Sequence, residues 1–207
     1  MARFLDLHPV DPQPRLVAQV VEALRDDALI AYPTDSGYAL GCRLGNRDGK
    51  DRILRIRQLD DKHHFTLMCA DFSQLGHFVH VSNHAFRSVK SAIPGPYTFI
   101  LPATREVPKQ LMHPKKKTVG VRIPSHPVVE ALLAELGEPL LTSSLILPGE
   151  AEPRTIGWEV KEDLDHDVDI VIEAGETPAV PTTVVDWSED VPEIVRYGAG
   201  DPGRFEV

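Results

Sequence analysis

The sequence has little cysteine and no long apolar run. Only Cys42 and Cys69 occur among its 207 residues, both inside apolar segments. Two thiols are too few for a disulfide framework or for the roughly four ligands of a structural zinc site, so we expect buried, reduced thiols and no structural metal. No segment approaches the roughly 20 apolar residues of a membrane span, and residues 1–10 lack the pattern of a signal peptide. These absences predict a cytoplasmic protein with no membrane partner.

The sequence also lacks an excess of positive charge. It has 31 acidic and 22 basic residues, which give a formal net charge of −9. The chain as a whole therefore does not attract polyanions, and any phosphate or RNA site must be a local concentration of basic residues. The P-loop, Gly-x-Gly-x-x-Gly, nucleophile-elbow and His-Glu-x-x-His motifs are absent as well, which excludes the common nucleotide-binding and hydrolase templates.

Helical and extended patterns alternate along the chain, and the hydrophobic content of 42% is sufficient for a packed core. Apolar residues at helical spacing predict helices over residues 15–25, 50–59, 83–92 and 127–136. Short apolar or alternating segments predict strands over residues 28–32, 38–44, 66–70, 97–103, 118–123, 140–144, 168–172, 183–187 and 194–197. Pro33 to Gly37 is expected to form a tight loop between the first two of these strands.

This alternation predicts the fold class. Some connections between strands are too short for the crossover that parallel neighbours need, so the sheet must be mixed. We therefore expect an α/β (α+β) fold, a single domain over residues 1–207 in which a twisted, mixed, open sheet is flanked by helices.

Polar residues concentrate where five of these elements end. Loop ends on a rigid sheet combine exposed backbone donors with fixed positions, and binding residues are commonly found there. The five segments are residues 33–38, 55–64, 94–98, 119–124 and 141–144.

These segments resemble motifs of a known family over nearly the whole chain. The chain is similar to the YrdC/YciO family of threonylcarbamoyl-adenylate synthases and, within it, to the YciO branch. The resemblance rests on Tyr32 to Cys42 (YPTDSGYALGC), Arg55 to Cys69 (RIRQLDDKHHFTLMC), Pro94 to Leu101 (PGPYTFIL), Val119 to Pro124 (VGVRIP), Gly137 to Leu147 (GEPLLTSSLIL) and Pro181 to Asp186 (PTTVVD).

The resemblance implies a fold, a reaction and partners. The fold would be a twisted α/β sheet with a basic concave cavity. The reaction would condense threonine, bicarbonate and ATP, supplied with Mg²⁺, into threonylcarbamoyl-adenylate and pyrophosphate for the modification of tRNA adenosine 37. Members of the family are also described as binding double-stranded RNA, so RNA or tRNA is an implied partner.

The resemblance also implies a set of site residues. Thr34 would orient the threonine or carbamoyl end, with the ring of Tyr38 beside it, and Arg122 would hold a carboxylate in a bidentate grip. Arg57 and Arg196 would balance charge on the pyrophosphate. The implied catalytic residues are Thr34, Arg57 and Arg122, and no metal ligand is implied. The implied binding residues are Thr34, Tyr38, Arg57, Thr66, Arg122, Ser143, Thr182, Thr183 and Arg196.

Two positions depart from the family's motifs. Synthases carry Lys-x-Arg where this chain has Arg57 and Leu59, and Ser-x-Asn where it has Ser143 and Leu145. Each charge-assisted bond lost at a triphosphate costs roughly 1.5–3 kcal/mol, so we expect an attenuated synthase.

Nearby residues offer compensation for the lost cation. A shifted register would use Arg55 and Arg57 as the cation pair, and Lys62, His63 and His64 follow closely in sequence. The two histidines could instead be a pH-sensitive pair, metal ligands or ordinary loop residues, and the last interpretation is favoured because no third ligand lies at metal-binding spacing.

Lys115-Lys116-Lys117 is the densest positive run in the chain. It is either an exposed turn or a contact to RNA phosphates. Two functions therefore stay open: a synthase, and an RNA-binding protein that recognises A-form shape after losing the synthase activity.

Overall fold

A computed structural model describes residues 1–60 and 63–206 of the chain. Within these residues, ten strands form one sheet and six α-helices pack against it. The elements in chain order are β1 (Arg3–Asp6), α1 (Pro14–Arg25), β2 (Ile30–Thr34), β3 (Gly37–Arg43), α2 (Arg47–Arg57), β4 (Thr66–Met68), α3 (Phe72–Phe78), α4 (Asn83–Ala92), β5 (Tyr97–Pro102), β6 (Thr118–Arg122), α5 (Pro127–Leu136), β7 (Leu140–Ser144), α6 (Gly157–Leu164), β8 (Ile170–Glu173), β9 (Thr183–Asp186) and β10 (Glu193–Arg196). No helix in this part of the chain is long and apolar enough to cross a membrane.

The sheet is mixed, as the short connections predict. Its strand order is β1-β8-β2-β3-β7-β4-β6-β5-β9-β10. The pairs β1–β8, β8–β2, β4–β6 and β5–β9 are parallel, and the other neighbouring pairs are antiparallel. The predicted fold class of a twisted, mixed, open sheet flanked by helices is confirmed.

The sheet separates two apolar cores. Side chains alternate between the two faces of a strand, so in β2 Ile30 packs against α1 and α5 while Ala31 enters the core beneath α2, α3, α4 and α6. α1 fits its position because its apolar residues recur at helical spacing, and four of them are buried against the sheet: Val17, Val20, Val21 and Leu24. The helices α1 and α5 form one layer, and the remaining four helices form the other.

Several short elements differ from the sequence expectation. The strand β1 and the helices α3 and α6 were not predicted, because elements of four to eight residues show little periodicity. The loop expected over Pro33 to Gly37 is narrower, since Pro33 and Thr34 continue β2. Gly37 starts β3 with φ +100°, a conformation that glycine adopts readily, so Asp35 and Ser36 alone reverse the chain.

Candidate functional site

One face of the sheet is divided between a covered half and a concave half. The helices α1 and α5 pack on side chains of β8, β2, β3 and β7. Further along the same face, β4, β6, β5, β9 and β10 line a cavity of about 420 Å³. This volume is in the range of pockets that hold small ligands.

The cavity floor consists of side chains at every second strand position. Threonine, serine and glycine dominate it, so hydroxyl groups face the space where a ligand would lie. These residues are Thr66 and Met68, Thr98 and Ile100, Thr118, Gly120 and Arg122, Thr142 and Ser144, and Thr182, Val184 and Asp186. The intervening residues Leu67, Val121 and Val185 are fully buried in the opposite core. A Cβ atom on Gly120 would lie 3.0 Å from Thr66 Oγ1, so glycine keeps the floor open at its centre.

Two arginines are oriented into the cavity by neutral oxygens. Arg57, the last residue of α2, donates from Nη1 to Ser143 Oγ at 2.6 Å and from Nε to the carbonyl of Ile146 at 3.2 Å. Arg196 of β10 donates to both the carbonyl and the hydroxyl oxygen of Thr182, each at 3.0 Å. The Thr182 hydroxyl is itself bonded to that of Thr98 at 2.9 Å. These bonds fix the two guanidinium groups without neutralising them.

Arg122, at the end of β6, is paired within the protein. Its Nη2 donates to Asp35 Oδ1, and Asp35 Oδ2 accepts a bond from the backbone N–H of Ser125 at 3.1 Å. Arg122 is 5% exposed, and its Nε is buried without a hydrogen-bond partner among the described residues. The carboxylate that this guanidinium holds in the structure is therefore that of Asp35, and the grip on a ligand that the family resemblance implies for Arg122 stays a prediction.

The electrostatics of the cavity favour an anion. Burial lowers the pKa of Arg57, Arg122 and Arg196. Repulsion by Arg196 lowers the pKa of Arg57 further, and repulsion by Arg122 lowers the pKa of Arg196 further. Arginine nevertheless stays protonated in proteins, so the three charges share one space. Asp186 is the one acidic residue among the described lining side chains, and its Oδ2 lies 3.4 Å from Lys116 Nζ. The described part of the chain contains no group of three or more His, Cys, Asp or Glu side chains suited to hold a metal ion.

His63 lies in the cavity beside Arg57. Its Nε2 is 3.1 Å from the same Ser143 Oγ that accepts from Arg57. Burial, together with the charges of Arg57 and His64, lowers the pKa of His63 to about 4 against an opposing contribution from Asp60. The imidazole is thus neutral at pH 7.

Basic residues also line the rim of the cavity. The ring of His64 stacks on that of His113 with centroids 5.1 Å apart. Among the described residues of the run Lys115-Lys116-Lys117, the exposed Lys116 is the one that lines the cavity. Lys62, which the sequence offers as compensation for the lost cation, lies outside the described residues.

Six of the predicted binding residues meet in this cavity: Arg57, Thr66, Arg122, Ser143, Thr182 and Arg196. Thr34, Tyr38 and Thr183 do not line it. The hydroxyl of Thr34 donates to the carbonyl of Gly37, that of Tyr38 to Ile172, and that of Thr183 to Gly200. Each of these three side chains is at most 1% exposed, so direct ligand contact is not available to them in this conformation. Strand alternation explains why Thr182 faces the cavity and Thr183 does not.

The two leucines that depart from the family's motifs do not line the cavity either. Leu145 is fully buried in the core beneath α2, and Leu59 packs against that core. The expectation that they leave gaps in the phosphate site therefore needs correction, because their side chains face away from it. The neighbouring Ser144 and Ile146 line the cavity instead.

Other lining residues, among them Met68, Ile100 and Thr118, lie outside both the predicted site residues and the polar segments. A usable signal exists in Thr118-x-Gly120-x-Arg122, where polar or small residues alternate with buried valines. That pattern indicates a strand with one apolar face and one face that is open to a ligand.

Comparisons with known proteins identify the family. The sequence model of the Sua5_yciO_yrdC family, described as "Telomere recombination", matches residues 22–198. YciO of Escherichia coli (strain K12) is 49% identical over 205 residues, which cover 99% of this chain and 100% of that protein. The chain belongs to the Sua5/YciO/YrdC family.

Solved structures and a named relative agree with this assignment. The crystal structure of E. coli YciO has a TM-score of 0.96 at 48% identity and covers 100% of both chains. The crystal structure of P. abyssi Sua5 complexed with L-threonine has a TM-score of 0.86 at 25% identity, and the match covers 94% of this chain and 57% of that one. The threonylcarbamoyl-AMP synthase of Vibrio vulnificus is 33% identical over 157 residues, or 74% of this chain and 83% of that protein. Both the predicted family and its sheet architecture are confirmed.

The pairing of Arg122 with Asp35 predicts a large coupling energy. Arg122→Met should lower the free energy of unfolding by about 3–5 kcal/mol, because it leaves a nearly buried carboxylate without its cation. In urea denaturation, the double variant Arg122→Met, Asp35→Asn should lose at least about 1 kcal/mol less free energy of unfolding than the two single variants lose in sum. Strictly additive losses would contradict the pairing.

The burial of Leu145 predicts that the family's asparagine is not tolerated there. Leu145→Asn should lower the free energy of unfolding by about 2–4 kcal/mol, because it places an amide in an apolar core. Ser144→Asn is the matched control: it lines the cavity and should cost less than about 1 kcal/mol by the same urea measurement. A stable Leu145→Asn variant that binds pyrophosphate more tightly than wild type would show that residue 145 reaches the ligand.

Proposed function

We propose that this protein is a threonylcarbamoyl-adenylate synthase. It would condense L-threonine, bicarbonate and ATP, with Mg²⁺ entering as part of the nucleotide substrate, into threonylcarbamoyl-adenylate and pyrophosphate. The observation that carries this proposal is the convergence of Arg57, Arg122 and Arg196 on one hydroxyl-lined cavity. Membership in a family that includes proteins named threonylcarbamoyl-AMP synthase, and a relative crystallised with L-threonine, support the same reaction.

The reaction needs no nucleophile from the protein. The amino nitrogen of threonine attacks the carbon of bicarbonate, and loss of water gives a carbamate. An oxygen of the carbamate then attacks the α-phosphorus of ATP, and the bond from that phosphorus to the bridging oxygen breaks and releases pyrophosphate. The protein contributes position and charge to both steps.

We assign the three arginines to different parts of the substrates. Arg57 and Arg196 carry uncompensated charge and would face the polyphosphate, where negative charge grows as pyrophosphate leaves. Arg122, partly neutralised by Asp35, would attract the threonine carboxylate from the cavity wall. Ser143 and Thr182 each accept a guanidinium bond, so they would hold Arg57 and Arg196 toward the phosphate oxygens. Thr66 would supply a further hydroxyl on the floor.

The buried predicted residues would act through their neighbours. Thr34 bonds across the two-residue turn that carries Asp35, so it would set the position of the Asp35–Arg122 pair. Tyr38 and Thr183 would hold β3 to β8 and β9 to the C-terminal segment. The product would supply threonylcarbamoyl groups for tRNA adenosine 37, and the protein would then act in the cytoplasm.

A competing function is RNA binding without turnover, which the exposed lysines beside the cavity rim favour. Lys115, Lys116 and Lys117 are all exposed at the entry to β6. Contacts from such lysines to RNA phosphates weaken steeply with salt, whereas threonine binding within the cavity should respond much less. Measuring RNA binding and threonine binding over a range of salt concentrations therefore separates the two functions.

Pyrophosphate release tests the proposed reaction. With ATP, bicarbonate and each amino acid in turn, threonine should give the largest signal. Arg57→Gln should lower kcat/KM for ATP by about 10- to 150-fold, because one charge-assisted bond to phosphate is lost. Arg55→Gln, on the exposed side of the same helix, is the matched control and should retain wild-type values. Equal signals for all amino acids, or no release with any of them, would refute the proposal.

A further inference from the structure

The imidazole of His63 lies where an anion bound to Arg57 would touch it. Both side chains meet at a single atom, Ser143 Oγ, with Arg57 Nη1 at 2.6 Å and His63 Nε2 at 3.1 Å. All three residues line the cavity. A ligand oxygen that contacts Arg57 and Ser143 is therefore placed next to His63.

The hydrogen bonds at Ser143 depend on the protonation of His63. Arg57 donates to Ser143 Oγ, so one lone pair of this oxygen is occupied. When His63 is neutral with Nε2 unprotonated, the Ser143 hydroxyl hydrogen is donated to it. When His63 is protonated, Nε2–H donates to Ser143 Oγ, and the hydroxyl hydrogen is released toward the cavity. Protonation thus adds a positive charge and one free donor at the same place.

The balance of the protein's own charged groups around His63 opposes its protonation. Arg57 from α2 and His64 from its own segment disfavour the charged imidazole, as does burial, whereas Asp60 favours it. From β7 the group that faces it is the uncharged hydroxyl of Ser143. An anion bound beside Arg57 would reverse this balance, because it offsets the arginine and attracts the imidazolium directly.

We propose that His63 is a fourth anion-binding residue of the cavity, which takes up one proton when a multiply charged oxyanion binds beside Arg57 and Ser143. This inference rests on the proposed function in one respect, namely that phosphate oxygens occupy this end of the cavity. It gives the site a cation that is present in the complex and absent from the free protein.

Sulfate is a suitable probe, because it keeps both charges throughout the pH range of the test. Calorimetric titration at constant ionic strength, set with sodium chloride, should show sulfate binding at least about threefold more tightly at pH 5.5 than at pH 7.5. Titrations at pH 5.5 in two buffers of different ionisation enthalpy should show net proton uptake. Binding that is independent of pH and buffer, or an absence of sulfate binding at both pH values, would overturn the inference.

Two histidine variants assign the proton to its residue. His63→Gln keeps a hydrogen-bond partner for Ser143 but cannot titrate, so it should abolish both the pH dependence and the proton uptake. His64→Gln should retain them; loss of the proton uptake in His64→Gln but not in His63→Gln would overturn the assignment. Sulfate binding coupled to a proton, with no pyrophosphate released from ATP, would refute the proposed reaction and leave this inference standing.

The stability of the free protein gives a readout without any ligand. The pKa of His63 is about 4 in the folded state and about 6.5 in an unfolded chain, so the unfolded state binds more protons between these values. This contribution to stability is present above pH 6.5 and is lost as the pH falls toward 4. His63→Gln should lose less stability than wild type over that window in urea denaturation, and an identical loss would contradict the placement of His63.

Discussion

The positive charge of three arginines in one partly buried cavity, uncompensated at Arg57 and Arg196, is the constraint on which the rest of this structure depends. Arg57 and Arg196 are held by carbonyl and hydroxyl oxygens, which fix a guanidinium group but do not cancel its charge. Among the described residues, Arg122 is the one of the three that has a carboxylate partner, Asp35. The repulsion that remains is relieved when an anion enters, so part of the affinity for an anion is built in before it arrives.

The sheet makes this arrangement stable. On one side of each strand, apolar residues such as Leu67 and Val121 pack into a continuous core beneath four helices. On the other side, α1 and α5 cover half of the face and leave the polar half concave. Bonds between floor residues, such as Thr98 to Thr182 at 2.9 Å, hold the donors in place before binding. A rigid floor lowers the entropic cost of binding, because its donors are already ordered. It also concentrates positive charge at one site of a protein whose net charge is −9.

The architecture could be predicted from the sequence, but the direction of individual side chains could not. Periodicity located the main helices and strands, and family motifs pointed to the cavity ends. A shift of one residue in a strand exchanges its two faces, and this decided that Thr182 lines the cavity while Thr183 is buried. For the same reason, the burial of Leu145 could not be predicted from the sequence. The Asp35–Arg122 pair and the contact of His63 with Ser143 join residues about 80 or more positions apart, which spacing alone does not reveal.

Arginine side-chain NMR tests most directly whether these three guanidinium groups form one anion site. In protein labelled with ¹⁵N-arginine, the Nε–H signals can be assigned by single Arg→Lys variants and followed during addition of ATP with Mg²⁺. We predict that the signals of Arg57 and Arg196 shift together and saturate with a single dissociation constant, that the signal of Arg122 shifts when L-threonine is then added, and that the signal of the exposed Arg55 stays in place. Saturable ATP binding that moves none of the three cavity signals would contradict the cavity as the site of the reaction.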